Sequence, residues 1–261
     1  MDDYDQRFGG IRRLFGSEAF PRLRRAHVCV VGVGGVGSWA VEALARSGIG
    51  ALTLVDLDDV CVTNVNRQVH ALDGEIGRTK VDVMARRALA INPGCVIRPL
   101  HTFFTETNAA EILGTRFDYV LDAIDNPDKK CLLIASCRDR GLPVMVVGGA
   151  GGRQNPSGLK ISDLTLSSHD RLLAVVRSTL RGEFGFPRGN KPFGIDCVYS
   201  PEPVMYPQQD GTVCAKREEG STLRLDCETG YGTACFVTGT FGFAAAGHIV
   251  QKIAASQQLP K

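Results

Sequence analysis

"HVCVVGVGGVGSWAVEALARSGIGALTLVD", residues 27–56, decides the fold. It opens on an unbroken apolar run, 27–33, of the kind a central strand covered on both faces requires. The run ends in Gly32, Gly34, Gly35 and Gly37, a G-x-G-x-x-G pattern between a strand and a helix. Glycine permits the tight turn there and lets backbone N–H groups approach a phosphate at the helix N-terminus. Helical spacing follows over 36–49. A second strand, 52–56, ends in Asp56, where an acid accepts hydrogen bonds from a ribose. These residues specify a nucleotide and leave open which one.

The same alternation continues outward. Residues 80–92 have the spacing of an amphipathic helix, stopped by Pro93 and Gly94. Strands are expected at 95–100, 119–125 and 143–152, with a helix over 128–141. The result is an α/β fold: a Rossmann-like, doubly wound, mainly parallel sheet over about 26–152. After Gly152 the rhythm changes. A strand-like 158–167 and a helical 170–184 precede a Gly/Pro/basic loop, 185–194, with few apolar residues to bury. Short strands and an apolar terminus complete a C-terminal elaboration, about 153–261, of a single domain spanning 1–261.

Composition narrows the setting. The chain has 261 residues, 44% of them hydrophobic, so a sizeable core is available. A formal charge of +2 neither demands nor excludes an anionic partner. The nine cysteines are scattered singly, and "MDDYDQRFGG" is no secretory signal, which implies reduced thiols in the cytoplasm. No two cysteines have C-x-x-C spacing, so no zinc is expected. Residues 229–251 lack Asp, Glu, Lys and Arg. That stretch reads either as membrane-associated or, given its Gly and Thr content, as a buried strand–turn–helix.

"VTNVNRQVH", residues 62–70, narrows the ligand. Asn64, Asn66, Arg67 and Gln68 crowd hydrogen-bond donors just past the second strand, and Arg67 can fork onto phosphate oxygens. Lys80 adds a point charge at the start of the next helix. Asp122, Asp125 and Asn126 fall at the C-terminal end of another strand, where a carboxylate suits Mg²⁺ travelling with phosphates. Phosphate donors, a lysine and a magnesium carboxylate describe ATP. An NAD-dependent oxidoreductase, the reading the glycines alone favour, leaves Arg67, Lys80 and Asp125 unexplained.

The run 31–68, with "GRTKVDV" (77–83) and "DAIDN" (122–126), resembles the ubiquitin-activating-enzyme-like adenylyltransferases. The resemblance implies that Asp56 holds the ribose, that Asn64, Arg67 and Lys80 hold phosphates, and that Asp125 binds Mg²⁺. "RFGGIRRLFG" (7–16) resembles the opening segment whose arginine reaches the partner subunit's ATP. Arg13, ahead of Arg7 and Arg12, takes that role, which implies a homodimer.

Within that superfamily, "VVGGAGG" (146–152), "GIDCVYSPEPVMYP" (194–207), "DGTVCA" (210–215) and "LDCETGYGTACFVTGTFGF" (225–243) resemble the tRNA threonylcarbamoyladenosine dehydratases. That branch implies ATP-dependent cyclisation of a modified adenosine next to the anticodon, through adenylation of the threonyl carboxylate and internal ring closure. Related enzymes can capture the acyl group on a cysteine, which makes Cys227 the first candidate, before Cys197 and Cys214. The tRNA needs a basic surface: residues 22–25, or Arg171, Arg177, Arg181, Arg188 and Lys191, with the loop 185–194 ordering on RNA. The branch also suggests cysteine desulfurase or sulfur-acceptor partners. Competing readings are an adenylyltransferase for the C-terminal glycine of a ubiquitin-like sulfur carrier, whose usual zinc cysteines are missing here, and a non-catalytic scaffold.

Overall fold

The computed structural model describes residues 3–189, 191–208, 210–216 and 231–256. Its frame is a sheet of β1 (His27–Val31), β2 (Ala51–Val55), β3 (Val96–Leu100), β4 (Tyr119–Asp122), β5 (Val144–Val147), β6 (Lys160–Asp163) and β7 (Asp196–Tyr199). The strand order is β3-β2-β1-β4-β5-β7-β6, parallel throughout except for β6 against β7. The winding reverses between β1 and β4. Their carboxyl ends therefore bound the crevice in which open α/β sheets bind ligands.

Before β1 come α1 (Tyr4–Arg7), α2 (Gly9–Phe15) and α3 (Ala19–Arg25); the longer α4 (Gly37–Arg46), α5 (Lys80–Ile91), α7 (Pro127–Asp139) and α8 (Arg171–Glu183) cover the sheet with the short α6 (Ala109–Leu113) and a final α9 (Cys235–Ala255). Val41, Leu44, Val81, Met84, Phe241 and Ile249 place α4, α5 and α9 over one face. Ile112, Ile134, Leu173 and Leu180 bring α6, α7 and α8 onto the other. A two-stranded ribbon, β8 (Tyr206–Pro207) with β9 (Val213–Cys214), stands apart.

The C-terminal part departs from its sequence reading in three places. Residues 235–255 form one continuous helix rather than a strand–turn–helix. Its small residues are a packing surface: a Cβ on Gly242 would stand 2.6 Å from the Val36 carbonyl oxygen and 2.8 Å from Trp39 Cβ. The helix needs glycine there to lie against α4. Among the described residues no helix is long and apolar enough to cross a membrane. Secondly, "DCVY" enters the main sheet as β7 beside β5, so the sheet extends into the region after Gly152. Thirdly, the loop 185–194 is anchored. Phe186 is buried and meets Phe193 in a tilted ring contact at 5.0 Å between centroids, each under a guanidinium, Arg138 and Arg181. The Asp163 carboxylate accepts the N–H groups of Phe193, Gly194 and Ile195. Two aromatics and one carboxylate outweigh the loop's Gly/Pro content.

The N-terminal helices sit at the edge where strands begin. Tyr4, Phe8 and Phe20 form their own small cluster. The Tyr4 hydroxyl donates to the Gly48 carbonyl just before β2, and Arg7 donates to the Ile91 carbonyl at the end of α5. From the loop that holds Arg67, α9 runs to this opposite edge, where Arg22 Nη2 donates to the Ala254 carbonyl at 2.8 Å.

Candidate nucleotide site

Close packing explains the glycines after β1. Gly32 has φ +90°, and a Cβ there would stand 2.7 Å from the Ala123 carbonyl oxygen; one on Gly37 would stand 1.8 Å from the Gly32 carbonyl oxygen. Any side chain would push α4 away from β1 and β4 and distort the glycine turn at the N-terminus of α4.

Asp56 is fixed in the crevice by backbone. Its Oδ2 accepts the Val33 N–H at 2.7 Å and its Oδ1 the Asp58 N–H at 2.9 Å. Burial raises its pKa, and the positive charge of Lys80 opposes that shift. Lys80 is itself buried, with Nζ 2.7 Å from Asp58 Oδ2. Thr79 caps α5, its hydroxyl oxygen accepting the Asp82 N–H, and so fixes where Lys80 enters. Asp58, which sequence reasoning missed, holds the ammonium beside the crevice.

The loop carrying Arg67 is tied to two helices. Its carbonyl accepts from Trp39 Nε1 at 3.0 Å and from the Thr238 hydroxyl at 3.1 Å. The Arg67 stem lies over Gly35, within 3.6 Å of where a Cβ would be, and Nη1 donates to the Asn66 side chain and the Thr63 carbonyl. Trp39 and Thr238 read in sequence as ordinary helix residues, and only the fold brings them to this loop.

The two asparagines bond to protein atoms. Asn64 is buried, and its Oδ1 accepts the Cys61 N–H at 3.0 Å, which shapes the turn. Asn66 Nδ2 donates to the Thr233 carbonyl at 2.9 Å and ties the loop to the chain entering α9. Both therefore shape the loop behind Arg67. Gln68 is also buried, and its Oε1 meets no donor. His70 lies just behind, fully buried, with both ring nitrogens unpartnered; burial first, then Lys80 and Arg87, pull its pKa down to about 4.

The acids after β4 separate. Asp122 was expected at the nucleotide, and this needs correcting: it is fully buried and 2.9 Å from the ammonium of Lys130, also fully buried. Its Oδ1 also accepts the Ile124 N–H, so the side chain braces the start of α7. Asp125 is exposed, and among the described residues its carboxylate has no partner. Asn126 caps α7 through the N–H groups of Asp128 and Lys129.

Arg13 is exposed on α2, behind an α1 pinned where the strands begin, and so away from this chain's own glycine turn. Cys197 is buried in β7, its thiol pushed up to about 12 by burial, which removes it as a nucleophile. Cys214 is exposed on β9, and Cys227 lies outside the described residues.

A glycine turn under α4, an acid ending β2, and an arginine and lysine beside it define a nucleotide-binding α/β protein with charge placed for phosphates. Residues 9–167 match the ThiF family. The chain is 48% identical to the tRNA threonylcarbamoyladenosine dehydratase of Escherichia coli K12, over 97% of this chain and 96% of that protein. It is 46% identical to that of Haemophilus influenzae, over 97% of this chain and 95% of that one. It superposes on the Escherichia coli enzyme in complex with ATP with a TM-score of 0.87 at 44% identity, covering 98% of this chain and 96% of that one. The chain belongs to the ThiF family and, within it, to the tRNA threonylcarbamoyladenosine dehydratases.

Proposed function

We propose that this protein uses ATP to dehydrate threonylcarbamoyladenosine in tRNA, next to the anticodon, closing the threonylcarbamoyl side chain into a ring. The observation that carries the reading is a phosphate-oriented crevice, with Gly32–Gly37, Asp56, Arg67 and Lys80 on one sheet edge, in a chain that resembles named dehydratases along nearly its whole length. The threonyl carboxylate attacks the α-phosphorus of ATP, giving an acyl-adenylate and pyrophosphate. The neighbouring urea group then bonds to the activated carbonyl carbon, the carbon–oxygen bond to AMP breaks, and a proton is lost. Because the nucleophile belongs to the same side chain, ring closure gains an effective molarity of roughly 10⁵ M or more.

The residues divide the work. Asp56, its oxygens aligned by the Val33 and Asp58 amides, accepts from the ribose hydroxyls. The glycine-turn amides, Arg67 and Lys80 hold the phosphates and stabilise the charge that builds up as pyrophosphate leaves. Gln68 Oε1, buried without a donor, offers an acceptor to a ligand hydroxyl or amine. Asn64, Asn66, Asp58, Trp39 and Thr238 position these groups.

Mg²⁺ fits the donor set. It is held by one or two carboxylates together with substrate phosphates, and Asp125 is an unpaired carboxylate at the carboxyl end of β4. Bound there, the ion would neutralise phosphate charge. Arg13, remote from its own crevice, acts in a second subunit, so the enzyme works as a homodimer.

The test is incubation with Mg²⁺–ATP and tRNA bearing threonylcarbamoyladenosine, with Arg67→Ala as control. The expected result is a nucleoside lighter by one water, with stoichiometric AMP, absent in the control. An unchanged nucleoside, with pyrophosphate exchange dependent on a ubiquitin-like carrier, would move the substrate to a protein.

A further inference from the structure

On the same sheet edge as the crevice, beyond β5, lies a second concavity of about 290 Å³ between α8 and the chain leading to β8. His169, Asp170, Arg171, Arg177, Val204 and Tyr206 line it. Behind His169, and not itself lining the concavity, is Arg153, which is 3% exposed and donates Nη2 to the His169 carbonyl at 2.7 Å. Among the described residues its Nε and Nη1 are buried with no acceptor. His169 presents that carbonyl from a left-handed backbone, φ 56°.

Neighbouring acids act on this guanidinium through their charge, which raises its pKa, and not through a direct ion pair among the described residues. Asp170 is committed to amides: Oδ2 accepts the Gly149 N–H at 2.8 Å and Oδ1 the Leu173 N–H at 3.0 Å, capping α8. Glu202 accepts the N–H groups of Gln154 and Asn155. Arg171 donates to the Tyr206 hydroxyl and Arg177 to the Ser167 hydroxyl. Among the described residues, none of the three arginines forms an ion pair. A buried cation with free donors is costly to keep unless something anionic completes it. Burial lowers the basicity of Arg153, and the charges of Asp170 and Glu202 oppose that shift.

We propose that this pocket receives an anionic group of the tRNA substrate, with Arg153 as its buried anchor and Arg171 and Arg177 at its mouth. This rests on the dehydratase reading for the identity of the RNA. The anion is either the threonylcarbamoyl carboxylate or a backbone phosphate of the same loop, since both offer oxygens to charged N–H donors. The position suits a second reactant: nucleotide-binding residues gather at the ends of β1 and β2, while Arg153 follows β5 on the far side of β4. Tertiary placement makes Arg153, which the sequence pattern leaves unremarkable, the inner member of the cluster.

The experiment uses full-length protein, anticodon stem-loop RNA with and without the threonylcarbamoyl group, and the variants Arg153→Met and Arg171→Ala/Arg177→Ala. Binding is followed by fluorescence anisotropy, and the KM values for RNA and ATP are measured separately. Both variants should weaken binding of modified RNA by about tenfold or more, with the ATP KM unchanged. If loss in Arg153→Met is confined to modified RNA, the ligand is the carboxylate. If both RNAs weaken and the salt slope falls by about 0.7, it is a phosphate. Arg153→Met should also melt at the same temperature as wild type or higher, because it removes a buried charge without a partner. Unchanged RNA affinity and KM in both variants would overturn the proposal. Wild type that binds RNA but never dehydrates it would instead overturn the dehydratase reading, and leave the pocket to be judged on binding alone.

Discussion

Lys130 and Arg153 are cations cut off from water close to the ends of neighbouring strands, β4 and β5, and they are treated in opposite ways. Lys130 meets Asp122 at 2.9 Å, both groups fully buried, and the pair locks α7 onto the sheet. Arg153 has a single carbonyl and two idle donors. A buried charge whose partner is another part of the protein belongs to the architecture. On the proposal above, the unfinished charge of Arg153 is held for a ligand. The crevice combines both conditions: Lys80 is steadied by Asp58, while Arg67 is fixed by its backbone and Asp125 is left unpaired.

The largest effect is expected where the pair is broken. Lys130→Met strands Asp122 in the core and should cost about 3–5 kcal/mol in urea unfolding, whereas Lys130→Met/Asp122→Leu should recover most of it. A small loss in the single variant would mean that burial and pairing do not separate structural from ligand-directed charge. Next is Arg67→Ala, expected to lower kcat by about 10²–10³ with little change in melting temperature. Mixing its subunits with those of Arg13→Ala should restore activity, because a hybrid dimer holds one crevice with both arginines. Failure to complement would place Arg13 outside the site.

His70 sharpens the comparison, since it too lacks partners but can shed its charge. Its pKa in the fold is about 4, below the ordinary 6.5, so the unfolded chain binds more protons between those values. Its contribution is fully present above pH 6.5 and is lost as pH falls toward 4, on the order of 3 kcal/mol in total. His70→Phe should flatten that part of the stability profile. An unaltered pH dependence would show that the His70 pKa is the same in the folded and the unfolded chain. The smallest expected effect is that of Thr238→Val, which removes one donor from the Arg67 carbonyl. It should cost about 1 kcal/mol and raise the ATP KM with kcat nearly intact.

The glycine turn and the acid ending β2 were legible because strict local geometry dictates residue type: Gly37 has no room for a Cβ, and Asp56 must meet the Val33 amide. Arg67 and Lys80 were legible because charge just past a parallel strand has few other uses. Asp122 has the same acceptors whether it faces a ligand or the core, and only the fold separates the two. Trp39 and Thr238 contribute single hydrogen bonds to a carbonyl far away in sequence, and Arg153 is distinguished by what fails to surround it. The Gly and Thr content also misled about α9, where glycine serves contact with Trp39 and Val36 rather than a turn.

The central claim is that the crevice activates a carboxylate by adenylation. The most direct measurement labels the threonyl carboxylate of the RNA substrate with oxygen-18 and follows the label by mass spectrometry of released AMP. Attack on the α-phosphorus followed by ring closure predicts AMP carrying one labelled oxygen and pyrophosphate carrying none. Label in pyrophosphate or orthophosphate, or unlabelled AMP alongside cyclised nucleoside, would contradict the account.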